Sequence, residues 1–177
     1  SHASMVGMNK EVSQSAAGFL VKRELDYFEK AVTTPSRPVV AIVGGAKVID
    51  KIKIIENLVK KVDKIIIGGA MAFPFFAVHG YGVGKATVDE NVAMKVLMIN
   101  QLAKERGVKI YLPVDFVAAE KFDGDAETKL VTFQEVPDDW FALDIGPAST
   151  KLFTEAMQNA KTILWNGPMG AFEIDAF

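Results

Sequence analysis

Apolar residues along this chain fall into two alternating arrangements. Val39-Val40-Ala41-Ile42-Val43 is an unbroken apolar run closed by Gly44-Gly45, and Lys64-Ile65-Ile66-Ile67 is closed the same way by Gly68-Gly69. Such short continuous runs predict strands buried on both faces, as in a parallel sheet. Between and after them the spacing turns helical, over about 47–62, 70–78 and 89–106. Asp89 is placed to cap the third of these helices and Gly107 to stop it. Further strands are predicted at 109–112, 114–119, 128–133, 142–145 and 162–165, with a helix over about 149–159 before the last. Ahead of all this, Phe19, Leu20, Leu25, Phe28 and Val32 recur at near-helical spacing, and Thr33-Thr34-Pro35-Ser36-Arg37-Pro38 ends that helix, because proline lacks a donor and restricts its predecessor. Residues 1–16 are small and polar without clear periodicity.

Strand, glycine turn and helix in repetition argue for an α/β fold: a three-layer, Rossmann-like parallel sheet with helices on both faces. Ligands of such sheets sit beyond the carboxyl ends of the strands. That rule selects 44–51, 68–73, 112–116 and 165–173.

In the first segment a double glycine precedes a helix whose opening N–H groups suit phosphate, and Lys47 and Lys51 share one face four residues apart. Cations at a helix N-terminus oppose the macrodipole, a mild cost that a bound polyphosphate would remove. The same pattern also fits an ordinary turn with two solvated lysines. Gly68-Gly69-Ala70-Met71-Ala72-Phe73 permits close approach by a flat ligand or another backbone, with Met71 and Phe73 read as core. Trp165-Asn166-Gly167-Pro168-Met169-Gly170-Ala171-Phe172-Glu173 offers one amide and one carboxylate, Asn166 and Glu173, for a base or ribose edge; the plainer reading is a rigid turn anchored by Trp165. Gly82-Val83-Gly84-Lys85-Ala86-Thr87 imitates a Walker loop but has His79 and Ala86 where glycine and Ser or Thr are required.

Composition narrows the classes. Lys plus Arg total 20 and Asp plus Glu total 22, a net charge of −2. That argues against a dedicated nucleic-acid binder but leaves room for a nucleotide site with a few local cations. The absence of cysteine excludes a disulfide framework and thiolate chemistry, and two histidines make a His-rich metal site or triad improbable. No apolar run approaches the ~18 residues of a membrane span, and the N-terminus carries no signal pattern, so a cytoplasmic protein without membrane partners is expected.

Taken in order and spacing, Gly18-Phe19-Leu20, Gly44-Gly45-Ala46-Lys47-Val48 with Asp50-Lys51, Gly68 to Phe73, Leu112-Pro113-Val114-Asp115-Phe116, Leu143-Asp144-Ile145-Gly146-Pro147 and Trp165 to Gly170 resemble the phosphoglycerate kinase family, over nearly the whole chain from about His2. The resemblance implies reversible phosphoryl transfer between 1,3-bisphosphoglycerate and ADP, giving 3-phosphoglycerate and ATP with Mg2+, in a two-lobed monomer. It implies that Lys47 stabilises the transferring phosphoryl group and that Lys51 lies on the nucleotide phosphates, beside Ala46. Gly45, Gly68, Gly69, Phe122, Ala142 and Leu143 would line the adenine slot, Asn166, Pro168 and Ala171 would border the nucleotide, and Glu173 would take the ribose. Ala70 and Ala142 stand where many members have glycine, and either methyl narrows the slot slightly.

The resemblance also implies a division: 1–16 a linker segment, 17–34 an interdomain hinge helix, and 35–177 an incomplete nucleotide-binding domain, cut short at its C-terminal end. The family's lobe for the phosphoglycerates lies upstream, and its Gly-Gly-Asp-Thr loop with the metal-binding aspartate lies downstream. No metal ligand is therefore expected in this chain, an exposed sheet edge is expected, and the piece alone is expected not to turn over. A non-catalytic adenine-nucleotide-binding module is the alternative, and edge-to-edge pairing between chains a third reading.

Overall fold

The computed structural model describes residues 7–177; the opening run from His2 to Val6 lies outside the described residues. The chain divides into two compact units, Ser1–Pro35 and Ser36–Phe177. The first contains a short helix α1 (Met8–Glu11) and α2 (Phe19–Thr33). Phe19, Leu20, Leu25 and Phe28 of α2 are exposed.

The second unit is built on β1 (Val39–Val43), α3 (Val48–Leu58), β2 (Lys64–Ile67), a 3-10 turn (Gly69–Ala72) running into α4 (Phe73–Ala77), α5 (Glu90–Arg106) and β3 (Lys109–Tyr111). These are followed by β4 (Asp115–Ala119), β5 (Thr128–Thr132), β6 (Phe141–Ile145), α6 (Pro147–Met157) and β7 (Thr162–Asn166). A parallel sheet has the order β3-β2-β1-β7. Every residue of β1 is buried, as its unbroken apolar run predicts. Its side chains alternate between two cores: Val39, Ala41 and Val43 pack with Ile52 and Ile55 of α3 and Val96 and Ile99 of α5, while Val40 and Ile42 pack with Phe153 and Ala156 of α6. That alternation makes the three layers. The Asp89 cap is present, its carboxylate accepting from Asn91 N at 2.8 Å, and Gly107 ends α5 with φ +68°.

At the opposite end of the sheet Asp63 ties the entering strands together. It accepts from Val39 N and Arg37 Nη1, both at 2.7 Å, and its backbone pairs with Val39 and Lys109.

Three of the predicted strands do not join the parallel sheet. They form a second, antiparallel sheet in the order β5-β4-β6. No crossover helix separates β4, β5 and β6, so they can pair only as neighbours running in opposite directions. Phe116 of β4 fastens this sheet to the 3-10/α4 segment through Phe73 and Phe76, with ring centroids 5.9 and 5.8 Å apart. β7 is the last strand of the parallel sheet, with Ile163 and Trp165 exposed. Trp165 is therefore not a buried anchor; its indole N–H bonds the Gly167 carbonyl at 2.8 Å.

Within segment 112–116, picked out above for ligand contact, Asp115 serves the fold. The Asp115 carboxylate accepts from Ala148 N at 2.9 Å, from Ser149 N at 2.7 Å and from the Ser149 hydroxyl at 2.5 Å. Ser149 Oγ in turn accepts from Val114 N and Asp115 N at 2.8 and 3.0 Å. A residue from β4 thus caps α6, supplying the acceptors that Gly146, the cap position itself, lacks. Replacing Asp115 by Ala leaves buried donors unpaired and is expected to cost about 1–3 kcal/mol; urea unfolding checks this, and an unchanged midpoint would remove the capping role.

Candidate functional site

The order β3-β2-β1-β7 reverses direction at β1, and the turns after β1 and β7 lie side by side there: Gly44 N donates to Asn166 O at 2.9 Å. Gly44 is buried, and a side chain on it would collide with the Pro168 carbonyl and with Met169 Cε. Gly167 has φ +90°, a conformation for which glycine is suited. A Cβ there would come within 2.6 Å of Lys51 Nζ. The nook left by these residues holds the Lys51 ammonium, which donates to Gly44 O at 2.8 Å.

Beyond this nook opens a cavity of about 660 Å³, reaching from the carboxyl ends of β1 and β7 to the second sheet. Gly45, Ala46, Lys47 and Lys51 line one side. Gly69, Phe122, Ala142 and Leu143 form an apolar, partly aromatic slot, and Pro168, Ala171 and Glu173 close the rim. All the residues singled out for a nucleotide thus meet there except two. Gly68 is buried beneath, where a Cβ would strike the Met169 thioether, and Asn166 is an exposed residue at the end of β7 that takes part through its backbone. Met71 is fully buried, as read, but Phe73 serves both core and cavity.

The lining also contains residues that sequence reasoning passed over, Lys85, Ala86 and Thr87 of the Walker look-alike together with Phe141, and it adds Gly170 and Phe172 of segment 165–173. The segment lacks the Walker pattern, yet the fold brings it to the cavity. A glycine-rich stretch flanking a lysine was the available signal. Three lysines against one carboxylate, Glu173, make the cavity a cationic pocket with one flat apolar side. A smaller hollow of about 400 Å³ at the amino ends of the strands is also lined by cations: Arg37, bonded to Asp63 and to Lys61 O, Lys64, bonded to Ala156 O, and Lys109.

Among the described residues no three His, Cys, Asp or Glu side chains gather as ligands. No helix among them is long and apolar enough to cross a membrane.

The family model for phosphoglycerate kinase matches residues 1–177. The chain belongs to the phosphoglycerate kinase family. It is 58% identical over 176 residues to the phosphoglycerate kinase of Geobacter metallireducens, covering 99% of this chain and 44% of that protein. It is 49% identical to that of Microcystis aeruginosa, over the same shares of the two proteins. The structure of phosphoglycerate kinase from Coxiella burnetii superposes with a TM-score of 0.85 at 36% identity, over 90% of this chain and 41% of that one. The corresponding enzyme of Pyrococcus horikoshii gives 0.74 at 27% identity, with the same coverage. The chain therefore spans about 44% of the length of the curated relatives it matches.

Beside the cavity, between Leu143 and Gly170, lies the half-buried carboxyl of Asp144, bonded to Ile145 N at 2.8 Å. Burial pushes its pKa above the ordinary value, against a smaller opposing effect of that hydrogen bond. The folded chain therefore holds this proton more tightly than the unfolded one. The associated stability is full below the unfolded pKa and is lost as pH rises through the folded one. Asp144→Asn is expected to raise stability at neutral pH and to lose that advantage in acid; chemical unfolding at both pH values checks it, and a gain confined to acid would contradict the assignment.

Proposed function

We propose that this chain supplies the adenine-nucleotide site of a phosphoglycerate kinase, which transfers a phosphoryl group reversibly between 1,3-bisphosphoglycerate and ADP. The observation that carries this reading is the convergence of Lys47 and Lys51 with a flat slot of Gly69, Phe122, Ala142 and Leu143 in one cavity. A polyphosphate and an aromatic base need those two environments side by side. Residues 17–34 are, on this reading, the helix leading to the lobe that holds the phosphoglycerates, and 35–177 belong to the nucleotide domain. The enzyme is a cytoplasmic monomer without nucleic-acid or membrane partners, and Mg2+ accompanies the nucleotide.

In the ATP-forming direction, a β-phosphate oxygen of ADP attacks the acyl phosphorus and the bond to the carboxylate oxygen breaks, leaving 3-phosphoglycerate. Such transfers depend chiefly on alignment and on stabilising charge spread over the phosphoryl oxygens. Lys47, exposed at the cap of α3, has the reach to follow the moving group. Lys51, half-buried and tied to Gly44 O, gives a fixed charge for the nucleotide phosphates. Glu173, the cavity's single carboxylate, suits the ribose hydroxyls.

Calorimetric titration of ADP tests this. Saturable binding is expected, weakened about ten- to a hundredfold by Lys51→Met through loss of a charge-assisted contact. Lys47→Ala should weaken it less. No saturable binding by the unaltered chain, or identical affinity in Lys51→Met, would sink the reading.

A further inference from the structure

The Walker look-alike has a use that its sequence does not announce. Its backbone is pressed against the segment entering β6: Lys85 N donates to Trp140 O at 2.8 Å, and Gly84, at φ +62°, leaves room for only a hydrogen against the Trp140 carbonyl. From this fixed base the Lys85 side chain crosses to the β4–β5 loop and donates to Glu120 O at 3.0 Å. On the way its ammonium stands 4.9 Å from the centroid of the Phe141 ring. Phe122 lies two residues beyond Glu120, and Phe122 and Phe141 both line the cavity.

The loop needs such a tie. The β4–β5 ladder ends at Ala119 and Thr128. Among the described residues, the loop's other hydrogen bonds close within it: Asp123 N to Lys121 O, Ala126 N to Asp123 O and Asp125 N to the Asp123 carboxylate. Phe122 is itself 58% exposed, so packing alone does not hold its ring.

We propose that Lys85 is a positioning residue for the nucleotide base: it latches the Glu120 turn to the β6 wall, so that Phe122 and Phe141 face the base as a preorganised pair. This rests on the nucleotide reading above. A ring ordered before binding spares the complex the cost of ordering it, and the latch acts at the aromatic side of the cavity, where the Lys85 ammonium bonds Glu120 O beside Phe141.

The test is calorimetric titration of ADP and of inorganic pyrophosphate into the unaltered chain, Lys85→Met, Phe122→Leu and the double variant. Lys85→Met is expected to weaken ADP about five- to tenfold, the scale of one hydrogen bond plus an exposed cation–π contact, while pyrophosphate changes by less than about twofold. Lys85→Gln, which keeps a donor without the charge, should fall between, and guards against a Met variant that folds poorly. In the Phe122→Leu background the Lys85 substitution should cost less than about twofold, because it acts through that ring. Unchanged ADP affinity, equal loss for ADP and pyrophosphate, or fully additive losses would each overturn the proposal. An unaltered chain that binds pyrophosphate but not ADP would overturn the base-site reading along with it.

Discussion

Three backbone turns share one small volume at the carboxyl end of the parallel sheet, with the Met169 side chain and the Lys51 ammonium fitted among their glycines. The turn after β1 meets the turns after β2 and β7 so closely that a methyl group on Gly44 would overlap the Pro168 carbonyl. Close packing of bare backbone leaves peptide carbonyls facing inward, and an inward carbonyl needs a donor. Lys51 is that donor for Gly44. The cation is therefore held by the fold even without a ligand, and the cavity begins where this packing ends.

That packing depends in turn on β1 being buried on both faces. A strand that alternates Val39, Ala41 and Val43 with Val40 and Ile42 between two cores cannot shift register by one residue without exchanging its large and small residues between layers. Its carboxyl end, and with it the helix that carries Lys47 and Lys51, is placed to within the tolerance of a packed core. The second sheet is held differently. It is fastened by aromatic contacts of Phe116 and by the Asp115–Ser149 cap rather than by strand pairing to the first sheet. The cavity thus joins a rigid cationic wall to an aromatic wall carried partly on a loop.

The legible part of the site lay in local pattern. Gly44-Gly45 before Lys47 and Lys51, and Gly68-Gly69 after an apolar run, are short-range features whose meaning depends on a strand ending there, which the apolar runs themselves declare. Phe122, Ala142 and Leu143 were reached only through resemblance, since nothing about an isolated phenylalanine in a polar loop points to a slot. Asp115 misled the strand-end rule because β3 ends just before it and the chain leaves the parallel sheet there. Its carboxylate was claimed by a helix more than thirty residues later in the chain, through Ser149 N.

From sequence alone one could determine that strands buried on both faces alternate with helices, that glycine turns close them, and which family's motifs the turns carry. Hydrophobic periodicity and glycine placement are read over a few residues and express preferences that each segment has by itself. Which residues face one another was settled only in three dimensions. The antiparallel pairing of β4 with β5 and β6, the burial of Gly68, the pairing of Asn166 O with Gly44 N and the arrival of Lys85 at Glu120 all depend on contacts between distant segments. Such contacts are decided by how whole layers pack, and no window of sequence contains both partners.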